Sequence, residues 1–347
     1  MSINQAIGNA FSGLSASSRA SEIVSRNIAN ASTEGYSATA VHRSQQIHGG
    51  QGAGVRIDGV ERAASPLLTA DRRRAGAAAE RAEGEATIMR QLADLVNDPV
   101  GGDSLSDRFV AFENALRGLA DTPESPAMQN AAAAAGRGLA KRFNVISTET
   151  TRIRADLAAD VQRQVDTVNG ALKKIAQLNT QIAAAAAAGQ DTTALEDARD
   201  RQIEAVNGII PINARNRDEG GMVMASRGGA LLVEGSPREI AASVLTDAEG
   251  HATGFTFKVD GFDVGAVGDA ARLGGGSLEA SMKALTEDIP AFRDQLDALA
   301  ADVVMRFQNL PGYETLTDPS APYADTGVAA TENLHTRTGL FSDAGTR

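Results

Sequence analysis

Cysteine and tryptophan are absent from this 347-residue sequence, and aromatic residues make up only 4% of it. The lack of cysteine excludes disulfides, thiolate metal sites and cysteine nucleophiles, but it is compatible with both reducing and oxidising compartments. Alanine supplies much of the 42% hydrophobic content, so bulky core-filling side chains are scarce. This composition favours long helices in close contact over a thick globular core, and we expect an elongated molecule.

The charge balance is acidic, with a formal net charge of −11 and a pI near 5.0. Such a chain lacks the basic surface that binds nucleic acid, and an anionic membrane surface would repel it on average. No stretch approaches the roughly 18 apolar residues that a membrane span needs. Residues 1–5 also lack the basic start of a cleaved signal peptide, so secretion would require an uncleaved route.

The first thirty residues predict a helix that ends near two asparagines. Mostly small residues at positions 12–18 would allow a second backbone to approach closely. Asn27 and Asn30 compete for backbone hydrogen bonds, and Gly35 can adopt a left-handed conformation, so the helix is expected to end there. The larger apolar residues recur mostly at helical spacing: Ile3, Ile7, Phe11, Leu14, Ala20, Val24 and Ile28.

The remaining chain alternates between extended and helical patterns. Apolar and charged residues alternate from Val55 to Asp58, which predicts strands beside a glycine-rich loop. A stripe from Ile153 to Ile182 has a mean spacing of about 3.6 residues, typical of bundle packing rather than of a two-stranded coiled coil. Short apolar runs between glycine, proline and aspartate turns then predict an antiparallel insert.

We therefore predict a mainly α fold with a small antiparallel β insert, arranged as an elongated long-helix bundle plus a β domain. Its segments are an amino-terminal helix at 1–35, an extended β-hairpin connector at 36–64, a long-helix bundle at 65–208, a small antiparallel β domain at 209–273, a return helix of the bundle at 274–310 and an irregular tail at 311–347.

Several motifs match a known family in order and spacing. Ser12-Gly13-Leu14 with Ala16, then Asn27-Ile28-Ala29-Asn30-Ala31, then Gly35-Tyr36 resemble the amino-terminal signature of bacterial flagellar axial proteins, which comprise rod, hook and hook-junction subunits. Three later segments are similar to the hook-associated protein 1 (FlgK) family of hook-filament junction proteins: Gly54 to Leu68, Leu195 to Gln202, and Gly275 to Ala300. The Leu195 to Gln202 match is the more discriminating, because rod and hook proteins share the amino-terminal signature.

The resemblance implies a structural subunit of the bacterial flagellum at the hook-filament junction. It implies export through the flagellar type III apparatus without a cleaved signal peptide, an extracellular location and no enzymatic activity. The implied partners are further copies of itself, the hook protein, the second junction protein and an export chaperone, with no nucleic acid and no membrane insertion. The residues implied in axial assembly are Ser12, Gly13, Leu14, Asn27, Ile28, Ala29, Asn30, Gly35 and Tyr36.

The carboxy-terminal end departs from the family pattern. Family members end in a second terminal helix that pairs with the first, whereas no such helix follows Gly339-Leu340-Phe341. A shortened sequence and a different pairing both remain open. We therefore expect the small-residue face ahead of Asn27 to have no partner within this chain, and to be mobile or covered by a neighbouring subunit.

No residue pattern predicts a catalytic, cofactor or metal site. The four histidines, at positions 42, 48, 251 and 335, are far apart or in loops and never form a His-Glu-x-x-His pair of ligands. Glycines at 50–54 and 274–276 lack the setting of a dinucleotide or phosphate loop and are interpreted as flexible turns. Asp260 to Asp263 lacks the alternating acids of a calcium loop and is interpreted as a turn between strands.

Three alternatives stay open from sequence alone. One is another rod or hook axial subunit, since the amino-terminal signature is shared. A second, from a different class, is a cytoplasmic helical adaptor, which the acidic charge and the amphipathic stripes would suit. A third is an enzyme within the β insert, although no constellation of residues supports it.

Overall fold

The computed structural model describes residues 3–33, 36–48, 51–63, 65–217, 221–265 and 273–308. These residues are mainly helical and carry small antiparallel sheets, which confirms the predicted fold class. The predicted tail at 311–347 and Gly35 lie outside the described residues. No helix in these ranges combines the length and apolarity that a membrane span requires. The predicted six-segment division stays a prediction.

The amino-terminal part consists of one helix and a long hairpin. Helix α1 covers Ile3–Ala29, strand β1 covers Thr39–His48 and strand β2 covers Gln51–Arg62. The strands pair antiparallel from Thr39 opposite Arg62 to His48 opposite Gln51, with two irregularities in register. One irregularity falls between His42 and Arg43, where Asp58 of β2 is the extra residue in the ladder.

Four helices follow, and their ends reflect the punctuation in the sequence. They are α2 (Pro66–Asn97), α3 (Leu105–Asp121), α4 (Pro126–Ala187) and α5 (Thr193–Ile209). Helix α3 begins with a capping box, in which the Ser104 hydroxyl accepts from the Asp107 N–H and the Asp107 carboxylate accepts from the Ser104 N–H. Proline is the first residue of α2 and of α4, where its missing N–H costs no helical bond.

The long stripe on α4 is buried as its period predicted. Val161, Val168, Leu172 and Ile175 have no exposed surface, and Ile182 is only 1% exposed. A 3.6-residue spacing keeps these side chains on one face of the helix, so the other face can stay exposed to solvent from Val161 to Ile182.

The β insert forms two sheets. The first has the strand order β3-β4-β5-β6 and the second the order β7-β8-β9. Their bounds are β3 Ile212–Asn216, β4 Met222–Ser226, β5 Leu231–Glu234, β6 Ser236–Pro237, β7 Ile240–Thr246, β8 Ala252–Val259 and β9 Phe262–Gly265.

The return segment is two helices joined by a π-helical turn. Helix α6 covers Gly276–Lys283, the wide turn covers Ala284–Asp288 and α7 covers Ile289–Gln308. The N–H of Ile289 bonds to Ala284 O, five residues back. Pro290 has no N–H to donate within the helix, and its ring crowds the preceding turn, which accounts for the wider bonding before it.

Glycines 275 and 276 are positions of close packing rather than flexible turns. Both have positive φ, and a Cβ on Gly275 would lie 2.2 Å from Pro211 Cγ. A Cβ on Gly276 would lie 2.4 Å from Ile209 O. Glycine is therefore required where the start of α6 meets the end of α5.

The chain divides into two compact units. The first comprises residues 1–83, 160–243 and 255–280, and the second comprises 84–159, 244–254 and 281–347. The core of the second unit is one aromatic-rich cluster from α3, α4 and α7 and a smaller one around Ile88 and Ile153. In the first cluster, the rings of Phe109 and Phe143 meet edge to face with centroids 6.0 Å apart.

Candidate assembly site

Helix α1 packs one face against β2 through small side chains. Ala16 and Ile23 are each only 2% exposed, and Ser12 is half-buried between them and the helix start. Ser12 Oγ donates to Asn9 O at 2.8 Å and accepts from the Val55 N–H at 3.1 Å. The serine hydroxyl therefore joins the helix backbone to the strand backbone.

The strand opposite Ser12 needs glycine. Gly54 has φ +108°, and a Cβ there would lie 2.2 Å from Ser12 Oγ. Gly13, which the signature also contains, has nothing within 4 Å of the position that a Cβ would take. The close approach of α1 and β2 therefore depends on Ser12 and Gly54, whereas Gly13 makes no such contact among the described residues.

This packing corrects the expectation that the small-residue face has no partner within the chain. That expectation assumed that only a second helix would be the packing partner of the small side chains. A β strand can approach equally closely where it offers a glycine, and β2 does so at Gly54. Ser12 is consequently covered by the hairpin of the same chain and Ala16 is buried, whereas Ser15, Ser17 and Ser18 are exposed.

The opposite face of α1 presents large apolar side chains to solvent. We call Ile3, Ile7, Phe11 and Leu14 the apolar stripe. Their exposed fractions are 79%, 62%, 73% and 69%. Residues three, four and seven apart share a helix face, and Ile28 is also 72% exposed further along α1.

Asn27 connects the end of α1 to the start of β1. Its Nδ2 donates to Thr39 O at 2.8 Å, and its Oδ1 accepts from the Thr39 N–H at 3.1 Å. The Tyr36 hydroxyl donates to the same Oδ1 at 2.7 Å. The Asn27 carboxamide thus bonds to the backbone of Thr39 as a neighbouring strand would. Two of the predicted site residues, Asn27 and Tyr36, are in direct contact.

The other predicted site residues are more dispersed. Asn30 Nδ2 donates to Arg26 O at 2.9 Å and so closes the last turn of α1. Ile28 and Ala29 are exposed, and both side chains are apolar. Among the described residues, the signature therefore combines a packing position, a junction at Asn27 and Tyr36, and an exposed apolar surface.

A cluster of charges ties β2 to α5. Arg62 lies 2.7 Å from Asp200 Oδ2 and 2.9 Å from Asp197 Oδ1. Burial raises the pKa of Asp197 and outweighs the charge of Arg62. Burial by itself would lower the pKa of Arg62. The hydrogen bond to Asp200 and the charge of Asp200 outweigh burial and raise the pKa of Arg62 above its usual value.

The same arrangement extends to α1 and α2. Asp191 lies 3.5 Å from Arg26, and Asp200 also lies 3.2 Å from Arg73 of α2. Burial alone would raise the pKa of Asp191, but hydrogen bonds from Thr193 and the charge of Arg26 hold it below its usual value. Sequence reasoning identified the Leu195 to Gln202 segment and Arg62 only by resemblance, and it missed Asp191 and Arg26. The spacing of acids 197, 200 and 204 on one face of α5 was the available signal, whereas Asp191 precedes the helix.

Three possible metal ligands meet in the turn between β7 and β8. The ligand atoms of Asp247, Glu249 and His251 lie within 4.8 Å of one another. However, Asp247 already accepts from the His251 N–H at 2.7 Å and from Arg154 at 3.2 Å. Because the cation of Arg154 occupies the carboxylate, we assign no metal to this turn. The grouping of His251 with two acids was not predicted from the sequence.

Family comparison separates the two parts of the chain. Residues 89–312 match the family described as "Flagellar hook-associated protein FlgK helical domain", and residues 7–36 match the "Flagella basal body rod protein" family. The amino-terminal match names rod proteins and is the less specific of the two, as the shared amino-terminal signature predicted. The helical-domain match distinguishes this chain from rod and hook subunits.

Individual relatives agree. The chain is 27% identical over 233 residues to "Flagellar hook-associated protein 1" of Bacillus subtilis, covering 64% of this chain and 46% of that protein. It is 26% identical over 334 residues to the protein of the same name from Escherichia coli, covering 93% and 60%. The chain thus spans about half the length of the curated relatives it matches.

A solved structure shares the fold. The flagellar hook junction protein FlgK from Burkholderia pseudomallei superposes with a TM-score of 0.51 at 21% identity, covering 68% of this chain and 42% of that one. At this identity the likeness supports the fold alone. The family match, in contrast, covers well over half of the 347 residues. The chain belongs to the family of the flagellar hook-associated protein FlgK.

Proposed function

We propose that this protein is a structural subunit of the bacterial flagellum at the hook-filament junction. One observation carries the proposal: α1 packs its Ser12 side on its own hairpin, and the apolar stripe on its other side is exposed in the part of the chain that the structure describes. Large exposed apolar surface is typical of a contact between proteins. Family membership, and the printed names of the relatives, support the flagellum as the setting of that contact.

The stripe would be covered by a helix of a neighbouring subunit. Repeated contacts between different surfaces of successive subunits build rings or open helices, which is the symmetry of an axial structure. Partners of this kind would be further copies of this chain, the hook protein and the second junction protein. The hairpin and the charge cluster around Arg62 would hold α1 in position for these contacts.

The finer parts of the proposal concern export and chemistry. The protein would leave the cell through the flagellar type III apparatus with an export chaperone, without a cleaved signal peptide, and would act outside the cell. It would contribute no enzymatic activity and need no cofactor. Its work would be mechanical, through the packing of helices.

The stripe can be tested by a double substitution, Phe11→Asp with Leu14→Asp, introduced into the chromosomal gene of the source bacterium. Both side chains are exposed, so the fold should persist while the contact with a neighbour is lost. We expect the variant to appear in the culture supernatant and the cells to lack filaments in electron micrographs.

The matched control is Val100→Asp, because Val100 is 98% exposed and lies far along the sequence from α1. Cells with this variant should carry normal filaments. Normal filaments with the double variant would contradict the proposal, whereas retention of the wild-type protein inside the cells would contradict export.

A further inference from the structure

The first unit contains a cleft along the free edge of β3. The cleft has a volume of about 1220 Å³ and is bounded by β3, the first half of α2 and the start of α6. Small-molecule sites typically measure about 300–1,000 Å³. A cavity of this size, with a strand along one wall, suits a segment of polypeptide better than a small ligand.

Alternate backbone groups of β3 point into the cleft. Just outside β3, the Arg217 N–H donates to Gly221 O, and the Arg227 N–H donates to Pro211 O. Positions 211 and 217 are therefore hydrogen-bonded to the β4 side, and the odd-numbered positions of β3 between them follow the same pattern. In an antiparallel pair the even-numbered positions then point away. Consistent with this, the Ile212 N–H faces Asn207 Oδ1 at 3.4 Å.

The next two outward positions are Ala214 and Asn216. Both line the cleft, and neither has a backbone hydrogen-bond partner among the residues that the structure describes. A free edge of this kind is a template for an added strand. Opposite it, α2 contributes the small side chains Ala70, Ala77 and Ala78, which leave room for a further backbone.

The charge of the cleft is opposite to that of the whole chain. Eight arginines and four carboxylates line it, a net charge of +4, whereas the whole chain carries −11. Several of these arginines are paired, but Arg215 and Arg227 are exposed and have no carboxylate within 4 Å in the described part of the chain. The lining arginines are Arg62, Arg73, Arg74, Arg81, Arg199, Arg215, Arg217 and Arg227.

We propose that this cleft binds an extended acidic segment of another polypeptide, which adds to β3 as a fifth strand. Backbone bonds to Ala214 and Asn216 would supply affinity, and Arg215 and Arg227 would select acidic side chains. The site is separate from the apolar stripe of α1, so it would operate whether or not that stripe assembles as proposed.

A direct test uses the purified full chain and a fluorescein-labelled eight-residue peptide that alternates threonine and glutamate. We expect saturable binding by fluorescence anisotropy at low salt. A peptide alternating threonine and lysine should not bind. A peptide alternating proline and glutamate keeps the charge but loses half of its N–H groups, and should bind at least about tenfold more weakly. Equal binding of all three peptides, or no binding of the first, would overturn the proposal.

Substitutions separate strand addition from simple charge attraction. Ala214→Pro removes an outward N–H without removing a bond to β4, since edge strands tolerate proline at such positions. It should weaken binding of the threonine-glutamate peptide about tenfold or more. Arg215→Glu with Arg227→Glu should also abolish it. Full binding by the proline variant would rule out strand addition.

The control is Ala242→Pro in β7, another edge strand. The Asp247 N–H bonds to His251 O, whereas Ile240 faces Asn169, so even-numbered positions of β7 also point away from β8. This variant should bind the peptide normally. Hydrogen exchange on the unmodified chain gives an answer that needs no variant: the peptide should slow exchange at Ala214 and Asn216. Unchanged exchange there would contradict the proposal.

Discussion

At the scale of single residues, asparagines on helices recur as partners for strand backbone. Asn27 bonds to both the N–H and the C=O of Thr39, and Asn169 does the same for Ile240, at 2.9 and 2.7 Å. Asn179 donates to Met222 O at 3.2 Å. A carboxamide carries one acceptor and two donors, so it can imitate a neighbouring strand at the point where the ladder begins.

Gly54 is the residue on which the contact between α1 and β2 depends most directly. A Gly54→Ala substitution would place Cβ against Ser12 and force an alanine to φ +108°. We expect the free energy of unfolding to fall by about 2–4 kcal/mol. Urea unfolding followed by circular dichroism would measure this loss.

Gly59→Ala is the matched control within the same strand, because nothing lies within 4 Å of its Cβ position and its φ is not positive. That change should be neutral, or should stabilise by up to about 1 kcal/mol by restricting the unfolded chain. Similar losses for the two variants would show that close approach to Ser12 is not the reason for glycine at position 54.

At the scale of elements, α5 holds the strand and the helices around it by ion pairs. Arg62 of β2 faces Asp197 and Asp200, and the Asp197 side chain is only 9% exposed. Removing the arginine would leave a buried carboxylate without its counter-charge, which costs more than the pair itself contributes. The geometry therefore makes stability sensitive to Arg62 in a pH-dependent way.

Arg62→Ala should lower the free energy of unfolding by about 3 kcal/mol at pH 7. The pKa of Asp197 is already raised by burial, and it rises further without Arg62. A raised pKa means that the ionised carboxylate costs stability at neutral pH and that this cost disappears as the pH falls through the folded-state value. The deficit of the variant relative to wild type should therefore shrink as the pH is lowered from 7 towards the ordinary carboxyl pKa of about 3.9.

Urea unfolding at several pH values would measure that trend. Arg56→Ala serves as the control, because Arg56 is 68% exposed on the same strand. Its effect should stay within about 0.5 kcal/mol at every pH. A deficit for Arg62→Ala that grows on acidification would contradict the role given to Asp197.

At the scale of the whole molecule, two compact units share a chain that is poor in large side chains. Each unit depends on a few fully buried residues, such as Leu139 and Ile146 in the second and Leu172 and Ile175 in the first. Where alanine supplies much of the apolar content, each larger side chain fills a greater share of the core. Cavities at these positions should consequently be costly.

Leu139→Ala tests this directly, since Leu139 has no exposed surface within the cluster of α3, α4 and α7. We expect a loss of about 2–5 kcal/mol in urea unfolding. Val100→Ala, at a position 98% exposed, should change stability by less than about 0.5 kcal/mol. A loss below about 1 kcal/mol for Leu139→Ala would indicate a loosely packed core.

Particular elements show how far sequence reasoning reached. The buried stripe of α4 and the hairpin before Arg62 followed from periodicity alone, because helices and strands repeat at 3.6 and 2 residues. The π-helical turn at Ala284–Asp288 was not expected, since it depends on how one proline is accommodated within a continuous apolar pattern. Acids on α5 were visible in the sequence, but their partners lie more than a hundred residues away.

By itself the sequence determined the mainly helical class, the antiparallel insert and the family, because composition, periodicity and short motifs are local properties of a chain. Only the tertiary structure decided what the first helix contacts. Ser12 meets a strand at Gly54, and the apolar stripe from Ile3 to Leu14 faces solvent. Which surface covers a helix face depends on atoms brought together from distant positions, and spacing along one helix carries no information about them.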